Sequence, residues 1–381
     1  MLLVVPAEIR DNEARVAATP ETVKKFIAQG FAVQVQAGAG HGALIADADY
    51  EAAGASIVKD AKTLLKAADV VLKVRPPEKF EIKLLPARAA VISLFAPFTN
   101  PLLSDYAAHG LTCFALEMVP RISRAQSMDV LSSQANIAGY KAVLMAAEHY
   151  RRFFPMMMTA AGTVQPARVL VMGAGVAGLQ AIATARRLGA MVEAFDVRAA
   201  AREQVESLGA KFVEVPVEED AEDAGGYAKE VSAEYKQKQA ELIAEHAAKS
   251  DIVITTALIP GRPAPVLVTE DVVKVMKSGS VIVDMAAGMG ANGVGGNCPL
   301  TELDKTVIKH GVTLLGESNI PSLVAADASQ LYARNLLNFL MLMSDGEGGL
   351  NTVQEDEIIE AAVLCRGGEF LKPQFLKGGK A

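Results

Sequence analysis

Val169-Leu170-Val171-Met172-Gly173-Ala174-Gly175-Val176-Ala177-Gly178-Leu179-Gln180 is the stretch that decides the fold of this 381-residue chain. An apolar, β-branched run stops at a glycine and an apolar helix opens directly after it, the pattern of a strand–turn–helix unit in a parallel sheet. Each glycine of the G-x-G-x-x-G spacing has its own task. Gly173 permits the tight turn, Gly175 lets a pyrophosphate approach the backbone, and Gly178 lets helix and sheet pack closely. The helix opening at Val176 turns unpaired N–H groups and a favourable dipole toward the phosphates. Asp196, 18 residues after Gly178 (196 − 178), ends the next apolar run, where an acid accepts hydrogen bonds from the adenosine ribose. Its carboxylate repels a 2′-phosphate, so NAD(H) is expected rather than NADP(H). Arg198 points the other way, but a neighbouring arginine does not cancel a carboxylate already on the ribose.

The same alternation extends outward from this unit. Residues 2–5, 31–36, 70–74 and 90–94 are short apolar runs, with helical segments at 20–29 and 61–68. Residues 168–172, 191–196, 211–215, 251–255, 280–284 and 312–315 repeat the pattern, with helices at 178–188, 199–208 and 270–276. Strands alternating with helices imply parallel βαβ units. A long helix is expected over 127–153, with Ile137, Tyr140, Leu144 and Ala147 on one face. Another, over 325–343, is expected to return the chain to its first domain. The fold class is therefore α/β: two Rossmann-like, doubly wound parallel-sheet domains joined by long helices. Residues 1–126 with 327–381 make a discontinuous first domain, and 127–326 the second, including the connecting helix and a mobile loop. That loop is 217–226, with five acids among the six positions from Glu218 to Asp223, and it has the length of a lid. The glycine-rich stretch 286–296 reads as a solvated loop, and Gly38-Ala39-Gly40-His41-Gly42, which opens no apolar helix, as a turn.

Composition narrows the function classes. A formal charge of −7 argues against a nucleic-acid partner. Cys113, Cys298 and Cys365 lie far apart with no C-x-x-C pair, which disfavours a disulfide framework and a metal site and fits a reducing compartment. The N-terminus has no basic stretch before its apolar residues, so no signal peptide is read. The longest apolar stretch, 169–185, carries three glycines and Gln180 and suits strand, turn and helix better than a membrane span, so no direct membrane insertion is expected.

A second constellation precedes the long helix: Arg121-Ile122-Ser123-Arg124-Ala125-Gln126-Ser127-Met128-Asp129-Val130-Leu131-Ser132-Ser133-Gln134. If helical, it sets Gln126, Asp129 and Ser132 or Ser133 on one face. Such a mixture of donors and acceptors suits a carboxamide, which presents both C=O and NH2. The same residues also fit a capping box, Ser123-x-x-Gln126, with Asp129 complementing the helix dipole. The five histidines, His41, His109, His149, His246 and His310, fall outside both motifs. Carbonyl reduction needs a proton donor beside the hydride, whereas passing hydride between two nicotinamides needs only close approach, at roughly 3–3.5 Å.

These residues resemble the NAD(H)-binding domain I of the alpha subunit of proton-translocating NAD(P) transhydrogenases, in the alanine dehydrogenase/transhydrogenase superfamily. The resemblance is carried by residues 120–129, Ala160-Ala161-Gly162-Thr163-Val164, Gly225-Gly226-Tyr227-Ala228-Lys229 and Thr255-Thr256-Ala257-Leu258-Ile259-Pro260-Gly261. It runs from Glu8 to about Leu340; the tail after Met343 matches poorly and is expected to be a variable end. It implies a homodimer with NAD(H) in a cleft, facing NADP(H) on a partner domain, with a membrane-embedded proton-channel subunit completing the complex. Arg121, Gln126, Asp129 and Ser132 would act at the nicotinamide, Ile122 and Ser123 would line the same cofactor site, and Gln126 would reach toward the partner's NADP(H). Gly173, Gly175, Val176 and Gly178 would hold the pyrophosphate, and Asp196, Val197 and Arg198 the adenosine side. Gly226, Tyr227, Gln239 and Leu258 would come from a closing loop and the next strand end. The chain ends at Ala381 without membrane helices, so it resembles the form in which domain I is a separate subunit, cytoplasmic and peripheral on the inner membrane through its partners.

The alternative within the superfamily is alanine dehydrogenase. Arg15 and Lys73 match positions that hold pyruvate there, but the histidine expected after the fourth strand is missing from Ile92-Ser93-Leu94-Phe95-Ala96-Pro97. The pair reads as inherited structure. A non-catalytic NAD(H)-sensing module is the alternative of a different class.

Overall fold

The computed structural model describes residues 1–198, 200–215, 232–353 and 355–376, and the chain divides into two units. Met1–Gln134 with Pro321–Ala381 form the first unit, and Ala135–Ile320 the second.

The first unit begins with six strands, β1 (Leu2–Val5), β2 (Ala32–Gln36), β3 (Ser56–Val58), β4 (Val70–Leu72), β5 (Ala90–Ser93) and β6 (Thr112–Ala115). They pair in parallel with β1 between β4 and β2. Strands covered on both faces read as continuous apolar runs, and β4 and β5 are buried along their whole length. Alternation divides the side chains: Leu3 and Val5 enter one buried cluster and Val4 the other.

In the second unit a short antiparallel hairpin, β7 (Met157–Thr159) and β8 (Gly162–Val164), precedes the second sheet. That sheet contains β9 (Arg168–Met172), β10 (Met191–Phe195), β11 (Lys211–Val213), β12 (Ile252–Thr255), β13 (Val281–Asp284), β14 (Thr306–Lys309) and β15 (Val312–Leu315). Its order is β11-β10-β9-β12-β13-β15-β14, parallel except where β14 meets β15. Chain order runs outward from β9 to β11 on one side and from β12 to β13 on the other, so the carboxyl ends of β9 and β12 flank a topological switch point, where open α/β sheets take their ligands.

The chain then returns through the helix Ala325–Met341 and adds β16 (Val363–Arg366) and β17 (Glu369–Phe370) to the first sheet. Its order becomes β17-β16-β6-β5-β4-β1-β2-β3, with β16 antiparallel to β6. The tail after Met343, expected to be a variable end, thus contributes two strands to this sheet. Ile358, Ile359, Ala362, Val363, Leu364 and Cys365 are all buried in the first unit's core. Both domains are doubly wound α/β as expected, but the divisions fall at 134/135 and 320/321 rather than at 126/127 and 326/327.

The first of those divisions cuts the helix Val130–His149, which is shorter than the expected 127–153. Its opening turn belongs to the first unit, where Gln134 accepts from Arg15 Nη1 at 2.8 Å and donates to Ala328 O at 3.1 Å. Further along, the buried residues are Ile137, Ala138, Ala142, Val143 and Ala146, and Tyr140 is exposed. The expected stripe of large side chains is thus displaced by small ones. Gly139 explains why: a Cβ there would lie 2.0 Å from Ala177 O, so this helix packs backbone to backbone on the helix Val176–Arg187.

Candidate functional site

The glycine turn after β9 has the geometry its spacing implies. Gly173 has φ +101°, and its N–H donates to Phe195 O at 2.8 Å. A Cβ at Gly173 would meet Thr256 Oγ1 at 2.4 Å, and one at Gly178 would meet Gly173 O at 1.8 Å. Gly175 differs. A Cβ there would meet nothing within 4 Å, so its backbone faces open space. Gly175 also precedes the helix Val176–Arg187 without any side-chain cap, leaving the first N–H groups available to an anion. A close-packed turn beneath an open, uncapped helix start fits a pyrophosphate.

Asp196 lies beyond β10, one position past Phe195. Its Oδ2 accepts from Ala174 N at 2.6 Å and Arg198 Nη2 at 3.0 Å, and its Oδ1 from Arg198 N and Nε at 2.9 Å each. The carboxylate tethers the glycine turn and holds Arg198, occupying the oxygens that ribose hydroxyls would use. Val197 is half-buried in the apolar cluster beneath. Leu258, just past β12, is 45% exposed, whereas Gln239 is buried in the helix Ala233–Lys249. Gly226 and Tyr227, with the acidic segment before them, lie outside the described residues.

In the first unit, Ser123–Met128 is a 3-10 helix with no side-chain cap, so the capping box expected at Ser123 and Gln126 is not formed. Capping falls instead to Asp129, immediately before the helix Val130–His149. Its Oδ1 accepts from Ser132 N at 2.9 Å and its Oδ2 from Ser132 Oγ at 2.6 Å. Gln126 and Arg121 are exposed and Ile122 is half-buried. The Gln126 side chain makes no hydrogen bond among the described residues, leaving its amide available.

Asn335, Asn338 and Asp356, which no sequence motif flagged, hold this loop. Asn335 Nδ2 and Asn338 Nδ2 donate to Ser127 O at 2.8 and 3.1 Å, and Asn335 Oδ1 accepts from Ser133 Oγ at 2.7 Å. Arg124 donates to both oxygens of Asp356 and holds that carboxyl below its usual range. The available signal was two asparagines spaced by three among the leucines near the end of the helix Ala325–Met341.

Arg15 and Lys73 are buried and already neutralised. Arg15 makes a two-point pair with Glu13 at 2.7 Å, and Lys73 Nζ lies 3.0 Å from Glu81 and 3.6 Å from Glu8. Burial pushes the Glu8 carboxyl up against the opposing pull of Lys73. Nearby in sequence, Ala96 has φ +50° and its N–H donates to Glu117 Oε1 at 2.5 Å.

A doubly wound sheet with an open glycine turn at its switch point belongs to the Rossmann-like class of dinucleotide folds. Residues 4–138 match the family described as "Alanine dehydrogenase/PNT, N-terminal domain", and residues 142–373 "Alanine dehydrogenase/PNT, C-terminal domain". The first part of the NAD(P) transhydrogenase subunit alpha of Rhodospirillum rubrum is 52% identical, with 98% of each chain covered. A solved transhydrogenase from Sinorhizobium meliloti superposes with TM-score 0.87 at 51% identity, covering 97% of this chain and 100% of the other. Alanine dehydrogenase of Halomonas elongata is 30% identical, covering 97% and 94%. The chain belongs to the alanine dehydrogenase/PNT family, and stands nearer its transhydrogenase alpha subunits than its alanine dehydrogenases.

Proposed function

We propose that this chain is the NAD(H)-binding subunit of a proton-translocating transhydrogenase. NADH, when bound, supplies the hydride, which passes directly to NADP+ on a partner domain. A membrane-embedded subunit couples that transfer to proton movement, and this chain is peripheral to the cytoplasmic face through its partners. Among the described residues no helix is long and apolar enough to cross a membrane.

The observation that carries the reading is the loop 121–132, where a free Gln126 amide stands beside an internally paired Asp129 and Ser132, with no histidine. Histidines serve elsewhere: His109 and His149 meet backbone carbonyls, and His246 and His310 meet Glu193 and Glu270. An exposed amide can orient a carboxamide, and the loop brings no proton donor of the kind carbonyl reduction demands. Arg121, Gln126, Asp129 and Ser132 are assigned to the nicotinamide end, with Ile122 and Ser123 lining it. Gly173, Gly175, Val176 and Gly178 are assigned to the pyrophosphate, Asp196, Val197 and Arg198 to the adenosine, and Gly226, Tyr227, Gln239 and Leu258 to closure. A homodimer is part of the proposal, supported by the hairpin of β7 and β8, whose Met158 is 78% exposed.

The test is to mix the purified chain with a matching NADP(H)-binding domain and follow transhydrogenation to an NAD analogue. Turnover is expected, and none from a folded mixture sinks the reading. Alanine dehydrogenase is the second reading, favoured by the buried Arg15 and Lys73. Alanine formed from pyruvate, ammonia and NADH by the chain alone would establish it. Tight NADH binding without transfer would leave a sensing module.

A further inference from the structure

We infer that Asn297 is a positioning residue for the dinucleotide site of the second unit, fixing the segment Thr256-Ala257-Leu258 beside the glycine turn. The inference rests on the proposed NAD(H) binding and adds to it a residue that belongs to neither sequence motif.

β12 ends at Thr255, on one side of the switch point. Thr256 stays tied to β9, its N–H donating to Met172 O at 2.9 Å and its Oγ1 lying 3.1 Å from Gly173 O. Ala257 N lies 3.5 Å from where a Gly173 Cβ would be. This segment therefore walls the turn that faces the pyrophosphate. At Ala257 the sheet no longer supplies a neighbour, and a side chain takes its place. Asn297 Oδ1 accepts from Ala257 N at 3.1 Å, and Asn297 Nδ2 donates to Ala257 O at 2.9 Å and to Pro265 O at 2.8 Å. A primary amide has two N–H donors, and both are used. The pairing imitates an adjacent strand for one residue, after which Leu258 emerges into solvent.

Asn297 is held in turn from β13. Asp284 is fully buried, its Oδ1 accepting from Thr255 Oγ1 at 3.0 Å, Ala286 N at 3.1 Å and Asn297 N at 3.2 Å, and its Oδ2 from Cys298 N at 2.9 Å. The backbone wraps this carboxylate so closely that a Cβ at Gly296 would stand 2.5 Å from Asp284 Oδ2. The glycine-rich stretch 286–296 is thus the support of a bracket. Asp284 fixes Asn297, and Asn297 fixes the backbone from which Leu258 projects.

Calorimetry with NADH on the full chain, wild type against Asn297→Ala and Asn297→Ser, tests this. Loss of a buried two-point pairing is expected to weaken NADH about tenfold. ADP-ribose, which lacks the nicotinamide, should weaken by the same factor. In a Leu258→Ala background the Asn297 substitution should cost clearly less, a coupling that general destabilisation does not produce. Folded variants with unchanged affinity, or equal losses in both backgrounds, overturn the inference. If neither variant folds, hydrogen exchange on the wild type decides: the peptide carrying Ala257 and Leu258 should be protected before NADH is added, and fast exchange there overturns it. Wild-type protein that takes up no NADH would instead sink the reading beneath.

Discussion

Arg124 grips Asp356 with two guanidinium nitrogens, at 2.6 and 3.1 Å, joining the loop that carries Gln126 to a segment more than two hundred residues later. Asp356 also caps the helix Glu357–Ala362 by accepting from Ile358 N at 2.8 Å. One carboxylate therefore starts a helix and restrains a functional loop.

Removing that restraint should show in acid–base behaviour. The folded-state value of Asp356 is depressed, chiefly by Arg124, so the stabilisation is present above the usual carboxylate pKa and is lost as pH falls through the depressed value. Arg124 is half exposed, so solvent screens the pair and its contribution to stability is small. Arg124→Ala should lower the melting temperature at pH 7, and its difference from wild type should shrink as pH falls below the usual carboxylate range. A constant difference as pH falls would contradict this assignment.

Gln126 and Asn335 should separate binding from transfer. Gln126→Asn shortens the amide arm by one methylene and should leave NADH affinity nearly intact while slowing transhydrogenation with the NADP(H)-binding partner. Asn335→Ala frees Ser127 and Ser133 from the helix Ala325–Met341 and should do the same indirectly. A displacement of about 1 Å can cost on the order of a hundredfold in rate. Stopped-flow transfer rates set beside calorimetric affinities check both; a loss in affinity alone would place these residues in binding only.

Glu117 gives a prediction of opposite sign to Asp356. Burial raises its carboxyl to about 7, and Oε2 has no hydrogen-bond partner among the described residues. The folded state then holds a proton that the unfolded state has released, so this group's contribution falls as pH rises from the ordinary value toward 7. Glu117→Gln should stabilise the protein at pH 8 by on the order of 1–3 kcal/mol and change little at pH 4. Denaturant titrations at the two pH values check it.

The β7–β8 hairpin offers a test of association. Met156, Met157 and Met158 are all exposed, and a charge placed there should disfavour self-association without touching the core. Met158→Asp is expected to shift the sedimentation profile from dimer to monomer while leaving the melting curve of the dilute protein unchanged. A monomeric wild type would remove the homodimer from the proposal.

Much of the fold was legible because parallel strands buried on both faces read as nearly continuous apolar runs, and β9, β12 and β13 are such runs apart from one polar end residue each. The glycine spacing was legible for a related reason, since close approach of backbones excludes any side chain. What stayed hidden depended on contacts distant in sequence. β16 and β17 have four and two residues, too few to show a period, and only their pairing beside β6 makes them strands. Small residues misled in the helix Val130–His149, where Gly139 and Ala142 carry the packing that Tyr140 and Leu144 were expected to carry. The loop before that helix was legible as polar but not as 3-10. Asp129 rather than Ser123 caps the helix, a choice that depends on where the α-helix starts.

The strand β16 closes the first sheet against β6, and 248 residues separate Ala115 from Val363 (363 − 115). At the usual pace of synthesis, on the order of 5–20 residues per second, the nascent sheet waits roughly ten seconds to a minute with that side unzipped. Meanwhile the inserted unit emerges whole and is free to fold first. A ribosome pausing late in the message would prolong an open edge of the kind that templates aggregation, so a strand made late also acts as a safeguard for the earliest ones.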